Sequence, residues 1–318
     1  MRVLFAGTPE VALPSLHALL DSSHDVVGVL TRPDAAAGRR RRQRASPVAE
    51  LARSRGLRVL TPTSTAEEGL REAIETLSPD AAAVVAYGGL LRPALLQVPV
   101  HGWVNLHFSL LPAWRGAAPV QHAIMAGDEI TGATTFCIDE GLDTGPVLGS
   151  LTERVRPDDT GGSLLDRLAE AGAPLLVDSL EALASGQAQP EAQSPVGVSH
   201  APKLTRDDAA VRWSRPAFAV ERQIRGCTPA PGAWTQWRGS RLNLHPLRSA
   251  AASPDQAAAP ADLRVGQLHA ARQRVWVGTA SEPVLLGAVQ PPGKPVMPAA
   301  DWARGTRPEP GERFEDGA

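Results

Sequence analysis

Cysteine is nearly missing from this chain. Cys137 and Cys227 are the only two and lie far apart, so they support neither a disulfide framework nor a Cys-x-x-Cys motif. A reducing, cytoplasmic setting is the natural expectation. Lysine is as scarce, with Lys203 and Lys294 alone; arginine carries almost all the positive charge, a bias that accompanies the abundant alanine. The formal net charge is only −2, which by itself points to no class of partner. No apolar run approaches the ~18 residues of a membrane helix, and a strand pattern begins directly after Met1, so neither a membrane partner nor a signal peptide is expected. The eight histidines show no paired ligand spacing, and no metal is expected. Gly7 stands alone where a dinucleotide cradle would need Gly-x-Gly-x-x-Gly.

What the chain does have is length and alternation. Its 318 residues suffice for two domains and a substantial core. Arg2-Val3-Leu4-Phe5-Ala6 reads as a short strand, Gly7-Thr8-Pro9 turns it into a helix over 10–20, and 25–30 is a strand again. Strand, helix, strand at this spacing opens a parallel α/β sheet. Helices are expected over 47–55 and 66–77 and strands over 57–60 and 80–86, the last buried by its unbroken apolar character. Residues 31–46 differ: Gly38 and the like charges Arg39, Arg40, Arg41, Arg42 and Arg44 argue against regular structure. Composition leaves two readings open there, a solvated charge run or an arm that seeks phosphates.

The stretch from Trp103 to Gln121 organises the rest. Its first half alternates, so Asn105 and His107 project to one face of a strand while Val104, Leu106 and Phe108 project to the other. Both polar side chains can donate a hydrogen bond, and His107 can also trade a proton near neutral pH. The strand must leave its sheet at Pro112. Alone, an Asn-x-His pair on an apolar strand is more often a satisfied polar pair in a core; the company of Ser109-Leu110-Leu111-Pro112 and Arg115-Gly116-Ala117-Ala118-Pro119 favours a site. After a helix over 118–125 and a strand over 132–138 comes Gly141-Leu142-Asp143-Thr144-Gly145. It could be turn chemistry alone, but its place after the next strand makes Asp143 the partner for His107.

Further on, 147–156 reads as a strand and 163–184 as a pair of amphipathic helices. Residues 186–203, rich in Pro, Gln, Ser and Gly, read as a linker. Segments 233–238, 241–247, 263–270, 274–278 and 284–289 alternate between turn residues, as in a small barrel. Residues 209–306 hold 12 Lys and Arg against 5 Asp and Glu, a formal +7, which leaves −9 elsewhere. That asymmetry is the footprint of a polyanion-binding module.

Asn-x-His-x-Ser-Leu-Leu-Pro followed by Trp-Arg-Gly-Ala-Ala-Pro resembles the methionyl-tRNA formyltransferase family, among the enzymes that take a formyl group from 10-formyltetrahydrofolate. The resemblance implies an α/β fold: a Rossmann-like, mostly parallel sheet domain over 1–188, a linker over 189–208, a smaller OB-like β-barrel over 209–306 that binds tRNA, and a disordered tail over 307–318. It implies Asn105, His107 and Asp143 as the catalytic set and Ser109, Leu110, Leu111 and Pro112 against the folate. Arg39, placed after Gly38, and Arg40, Arg41 and Arg42 fall where the family carries a tRNA-binding basic loop. The expected partners are initiator methionyl-tRNA and the folate co-substrate, with the chain a monomer. Val11 departs from the aromatic that relatives place near the methionine, and Phe108 replaces their glycine. An amino-sugar nucleotide formyltransferase shares the Asn-His-Asp set but needs no arginine arm; a catalytically inactive RNA-binding relative would not need the intact set.

Overall fold

The computed structural model describes residues 1–37, 42–247, 260 and 262–316. They form two compact units, one of 1–119, 130–154 and 165–201, the other of 120–129, 155–164 and 202–318. The last passage from the first unit to the second comes after 201, inside the expected linker 189–208. Two short excursions before it already belong to the second unit.

The first unit is built on a seven-stranded sheet. Its strands begin with β1 (Arg2–Gly7) and β2 (Asp25–Leu30), joined through helix α1 (Leu13–Leu20). A two-stranded antiparallel hairpin, β3 (Ala35–Ala37) and β4 (Arg42–Arg44), follows outside the sheet. This corrects the expectation of an irregular loop over 31–46. The hairpin's base is pinned: Thr31 Oγ1 lies 2.8 Å from Ser46 Oγ, and Ser46 caps helix α2 (Pro47–Ser54) by accepting from the Ala49 N–H at 3.0 Å. Asp34 pairs with Arg53 at 3.7 Å and Arg44 with Glu50 at 3.6 Å. Tethered ends and the carboxylates Asp34 and Glu50 offset the repulsion that composition emphasises.

Then come β5 (Val59–Leu60), α3 (Leu70–Leu77), β6 (Ala81–Val85), the short α4 (Pro93–Leu96), β7 (Trp103–His107), α5 (Pro119–Ala126), β8 (Ile130–Cys137) and β9 (Val147–Arg154). The order across the sheet is β5-β2-β1-β6-β7-β8-β9. Everything from β5 to β7 is parallel, and β8 and β9 run antiparallel at the edge. The chain winds outward from β1 to β5, then crosses back to β6, so the order reverses between β1 and β6. Crevices beyond the carboxyl ends of strands at such a reversal are where open α/β sheets take ligands. Gly7 ends β1 there because a Cβ would stand 2.9 Å from the Ala12 Cβ and 3.0 Å from the Val85 carbonyl oxygen.

The pair of helices expected over 163–184 is one helix, α6 (Gly161–Ala184), continuous through Pro174. Proline removes one backbone hydrogen bond and normally breaks a helix. Here Leu168, Ala169 and Ala173 before it and Leu176 and Leu180 after it are all buried, so packing on both sides holds the two halves in line.

In the second unit, α7 (Ala217–Gly226) leads into β10 (Trp234–Trp237), β11 (Ser240–Leu244), β12 (Leu268–Ala270), β13 (Val275–Val277), β14 (Val284–Leu285), β15 (Ala288–Gln290), β16 (Met297–Pro298) and α8 (Ala299–Thr306). Two antiparallel sheets, β10-β11-β15-β16 and β12-β13-β14, share one apolar core. The tail joins that core. Phe314 is 3% exposed, stacks on Trp213 with ring centroids 5.4 Å apart and meets Trp302 at 6.0 Å. Its neighbours Arg313 and Glu315 pair with Gln267 and Gln236. Up to residue 316 this corrects the expected disorder of the tail 307–318: one aromatic among charged residues anchors a segment that composition marks as unstructured. Phe314→Ala should lower the unfolding free energy by roughly 3–5 kcal/mol, the usual loss for a buried phenylalanine, in urea denaturation followed by tryptophan fluorescence.

Candidate active site

β7 carries Asn105 and His107 to the carboxyl edge of the sheet, between parallel β6 and antiparallel β8. Across the ladder Asn105 faces Phe136 and His107 faces Thr134. Asn105 is half-buried, and its carboxamide has no hydrogen-bond partner among the described residues. Phe108 is buried, 7% exposed.

His107 is held between two acceptors. Its Nε2 donates to the Trp114 carbonyl at 2.9 Å, and its Nδ1 lies 3.7 Å from Asp143 Oδ2. The second distance is an ion-pair separation, longer than a hydrogen bond. Trp114 aims its carbonyl inward from a left-handed conformation, φ 60°, which a bulky residue adopts at a strain of about 1–3 kcal/mol. Asp143 is also left-handed, φ 53°, and its Oδ2 accepts from the Gly116 N–H at 2.7 Å. The sequence leaves both ring nitrogens open; the structure commits Nε2 to the protein and leaves the Nδ1 edge facing the carboxylate.

Burial pushes the His107 imidazole below its ordinary range, while the Asp143 charge and the Trp114 carbonyl pull it back up. The net direction is downward, opposite to the rise that Asp143 alone would give. Burial thus favours the uncharged ring, yet the ring is flanked by two acceptors, and only its protonated form satisfies both sides.

The segment 109–112 makes a tight turn whose polar atoms are largely spent on the protein. The Ser109 hydroxyl donates to the Ala113 carbonyl at 2.6 Å, and the Ser109 carbonyl accepts from Thr134 Oγ1 at 2.7 Å. The Leu111 N–H donates to the same threonine oxygen at 3.2 Å, and Ser109 is fully buried. Thr134 is thus a supporting residue that no sequence motif announces. Val11 lies at a separate cavity of about 370 Å³ with Glu10, Leu13, His17, Asp166 and Glu170. Arg39, Arg40 and Arg41 lie outside the described residues, and Arg42 is described only as backbone of β4.

Residues read as linker form part of the site's frame. Glu191 pairs with Val147 at the start of β9. The Ser199 hydroxyl accepts from the Trp114 N–H at 2.9 Å, and the Ala201 N–H donates to the Arg115 carbonyl at 2.7 Å. The approach is close enough that Gly116, φ 126°, could carry no side chain: a Cβ would stand 2.6 Å from the Ala201 oxygen. Neither cysteine offers a nucleophile, since burial raises the Cys137 thiol and pushes that of Cys227 up to about 11.

Comparison with known proteins defines the class first. The formyl transferase model matches residues 1–180, and the formyl transferase C-terminal domain model matches 203–307. Among sequences, methionyl-tRNA formyltransferase of Thermobifida fusca is 58% identical over 99% of this chain and 100% of its own length. That of Acidothermus cellulolyticus is 55% identical over 99% and 100%. Among solved structures, HypX from Aquifex aeolicus in complex with tetrahydrofolic acid superposes with a TM-score of 0.64 at 20% identity, over 95% of this chain and 47% of that one. This chain therefore spans about half of HypX, and that likeness is one of fold. The chain belongs to the methionyl-tRNA formyltransferase family.

The buried ring has a pH signature. A histidine held neutral in the fold and free to protonate when unfolded withdraws stability as pH falls below about 6.5, and continues to do so down to its folded value. In NMR titrations the His107 ring protons should show a midpoint below that of a free histidine, lower still in Asp143→Asn. A midpoint above the free value would contradict the burial argument.

Proposed function

We propose that this chain transfers a formyl group from 10-formyltetrahydrofolate to the free amino group of methionyl-initiator tRNA, with Asn105, His107 and Asp143 as the catalytic set. The observation that carries the reading is what meets along β7: a carboxamide without a protein partner among the described residues, a buried imidazole and, from the loop after β8, a carboxylate 3.7 Å from that ring. The setting is the cytoplasm and the working form a monomer.

The folate supplies an activated formyl group on its N10 nitrogen. The turn of Ser109, Leu110, Leu111 and Pro112, its polar atoms committed to Thr134 and Ala113, is a stiff, apolar wall against which a flat pteridine fits. A free α-amine has a pKa of roughly 7.7–8, and the adjacent ester of an aminoacyl-tRNA lowers it further, so much of it is neutral at pH 7 without a strong base. Asn105 donates to the formyl oxygen as negative charge develops there, an effect of roughly 10²–10³ in rate. Neutral His107 accepts the amine's proton at Nδ1, beside Asp143, and passes it to the departing nitrogen. One carbon–nitrogen bond forms, one breaks, and one proton moves between the nitrogens. Asp143 and the Trp114 carbonyl stabilise the imidazolium that burial opposes.

Arg39, Arg40, Arg41 and Arg42, on the arm that β3 and β4 brace, meet tRNA phosphates, and the basic module over 209–306 holds the tRNA body. An amino-sugar nucleotide would need neither. Asn105→Ala, His107→Ala and Asp143→Ala should each lose at least ~10²-fold in turnover with initiator methionyl-tRNA while staying folded; near-normal turnover by His107→Ala would sink the mechanism. Replacing Arg40, Arg41 and Arg42 together with alanine should weaken tRNA binding and flatten its salt dependence, by ~0.7–0.9 in log–log slope for each phosphate no longer neutralised. Binding across a salt series reads this directly, and an unchanged slope would reduce the arm to a solvated charge run.

A further inference from the structure

We propose that Gln193 is a positioning residue for formyl transfer, locking the loop that carries Asp143 to the loop that follows β7. This rests on the reading of Asn105, His107 and Asp143 as the catalytic set. The Gln193 amide uses both its ends. Nε2 donates to the main-chain carbonyls of Asp143 and Gly145, each at 2.8 Å. Oε1 accepts from Arg115 Nε at 3.1 Å and Arg115 Nη2 at 2.6 Å.

The two loops joined in this way are the ones whose separation sets the site. Asp143 meets His107 from a left-handed backbone, φ 53°, and its carboxylate accepts from the Gly116 N–H. Holding the carbonyls of Asp143 and Gly145 from one amide fixes that backbone; gripping Arg115 fixes Gly116 beside it. Gln193 is itself anchored, since Glu191 exchanges two backbone hydrogen bonds with Val147, at 2.7 and 2.8 Å. Without the amide, Asp143 can relax toward a right-handed or extended conformation and carry its carboxylate away from the ring. A displacement of about 1 Å in such a constellation lowers the rate on the order of 10²-fold.

Glutamate is the discriminating replacement. Gln193→Glu keeps the shape and the grip on Arg115 but turns both donors into acceptors facing carbonyl oxygens. The test is steady-state kinetics with 10-formyltetrahydrofolate and methionyl-tRNA for Gln193→Ala, Gln193→Glu, Asp143→Ala and the Gln193→Ala/Asp143→Ala double variant, with melting temperatures alongside. Both Gln193 variants should fall roughly 10- to 100-fold in kcat, with KM for either substrate nearly unchanged. In the Asp143→Ala background the same change should have little further effect, because its target is gone. Normal kcat in folded Gln193→Glu would overturn the proposal, as would equal losses in both backgrounds, the mark of a general structural role. Should Gln193→Ala fail to fold, the glutamate variant carries the same cycle with Asp143→Ala. Normal turnover by Asp143→Ala would instead overturn the catalytic set itself, and the positioning role with it.

Discussion

His107 sits almost out of reach of water with an acceptor on each ring nitrogen, and the first unit is arranged to keep it there. Burial favours the neutral ring, while the Trp114 carbonyl and the Asp143 carboxylate favour the charged one. Burial is the larger influence and sets the net direction, while the two acceptors leave no nitrogen of a protonated ring without a partner. Holding the balance requires two left-handed residues, Trp114 and Asp143, each disfavoured locally and each retained by hydrogen bonds from elsewhere. The left-handed Trp114 is tied by Ser199, and Asp143 by Gly116 and Gln193.

Much of this was legible in the sequence because it depends on local pattern. Alternation along 103–108 puts Asn105 and His107 on one face, and the βα rhythm puts the following loops at the carboxyl ends of the strands. The route of Asp143 does not follow from that rhythm: β8 runs antiparallel to β7 with Cys137 opposite Val104, so the loop after it folds back to reach His107. What was not legible depends on where hydrogen bonds end. Nothing in residues 186–203 distinguishes a flexible connector from a strap, since Pro, Gln, Ser and Gly serve both. Gln193 becomes informative only when two carbonyls and a guanidinium are seen to converge on it. The acceptor for the His107 Nε2–H was equally hidden, because a backbone carbonyl carries no sequence signature.

Two further departures share one cause. Composition predicts average behaviour, and a single tertiary interaction can override it. Phe314 pulls a charged tail into an aromatic cluster with Trp213 and Trp302, and the Thr31–Ser46 pair ties together the two ends of a segment whose composition argues against regular structure. Pro174 makes the same point in reverse: a residue that normally ends a helix lies inside α6 because burial on both flanks leaves the chain no better course.

The division of the chain has a consequence for how such a protein can change over time. Between its first and last residue the backbone passes from one unit to the other five times, after 119, 129, 154, 164 and 201. No single break in a gene can separate the two units, because cutting at 201 leaves the excursions 120–129 and 155–164 behind on the wrong piece. Swapping the second unit for another would require three coordinated replacements. A replacement second unit would have to accommodate both excursions, each ten residues long, or bring its own.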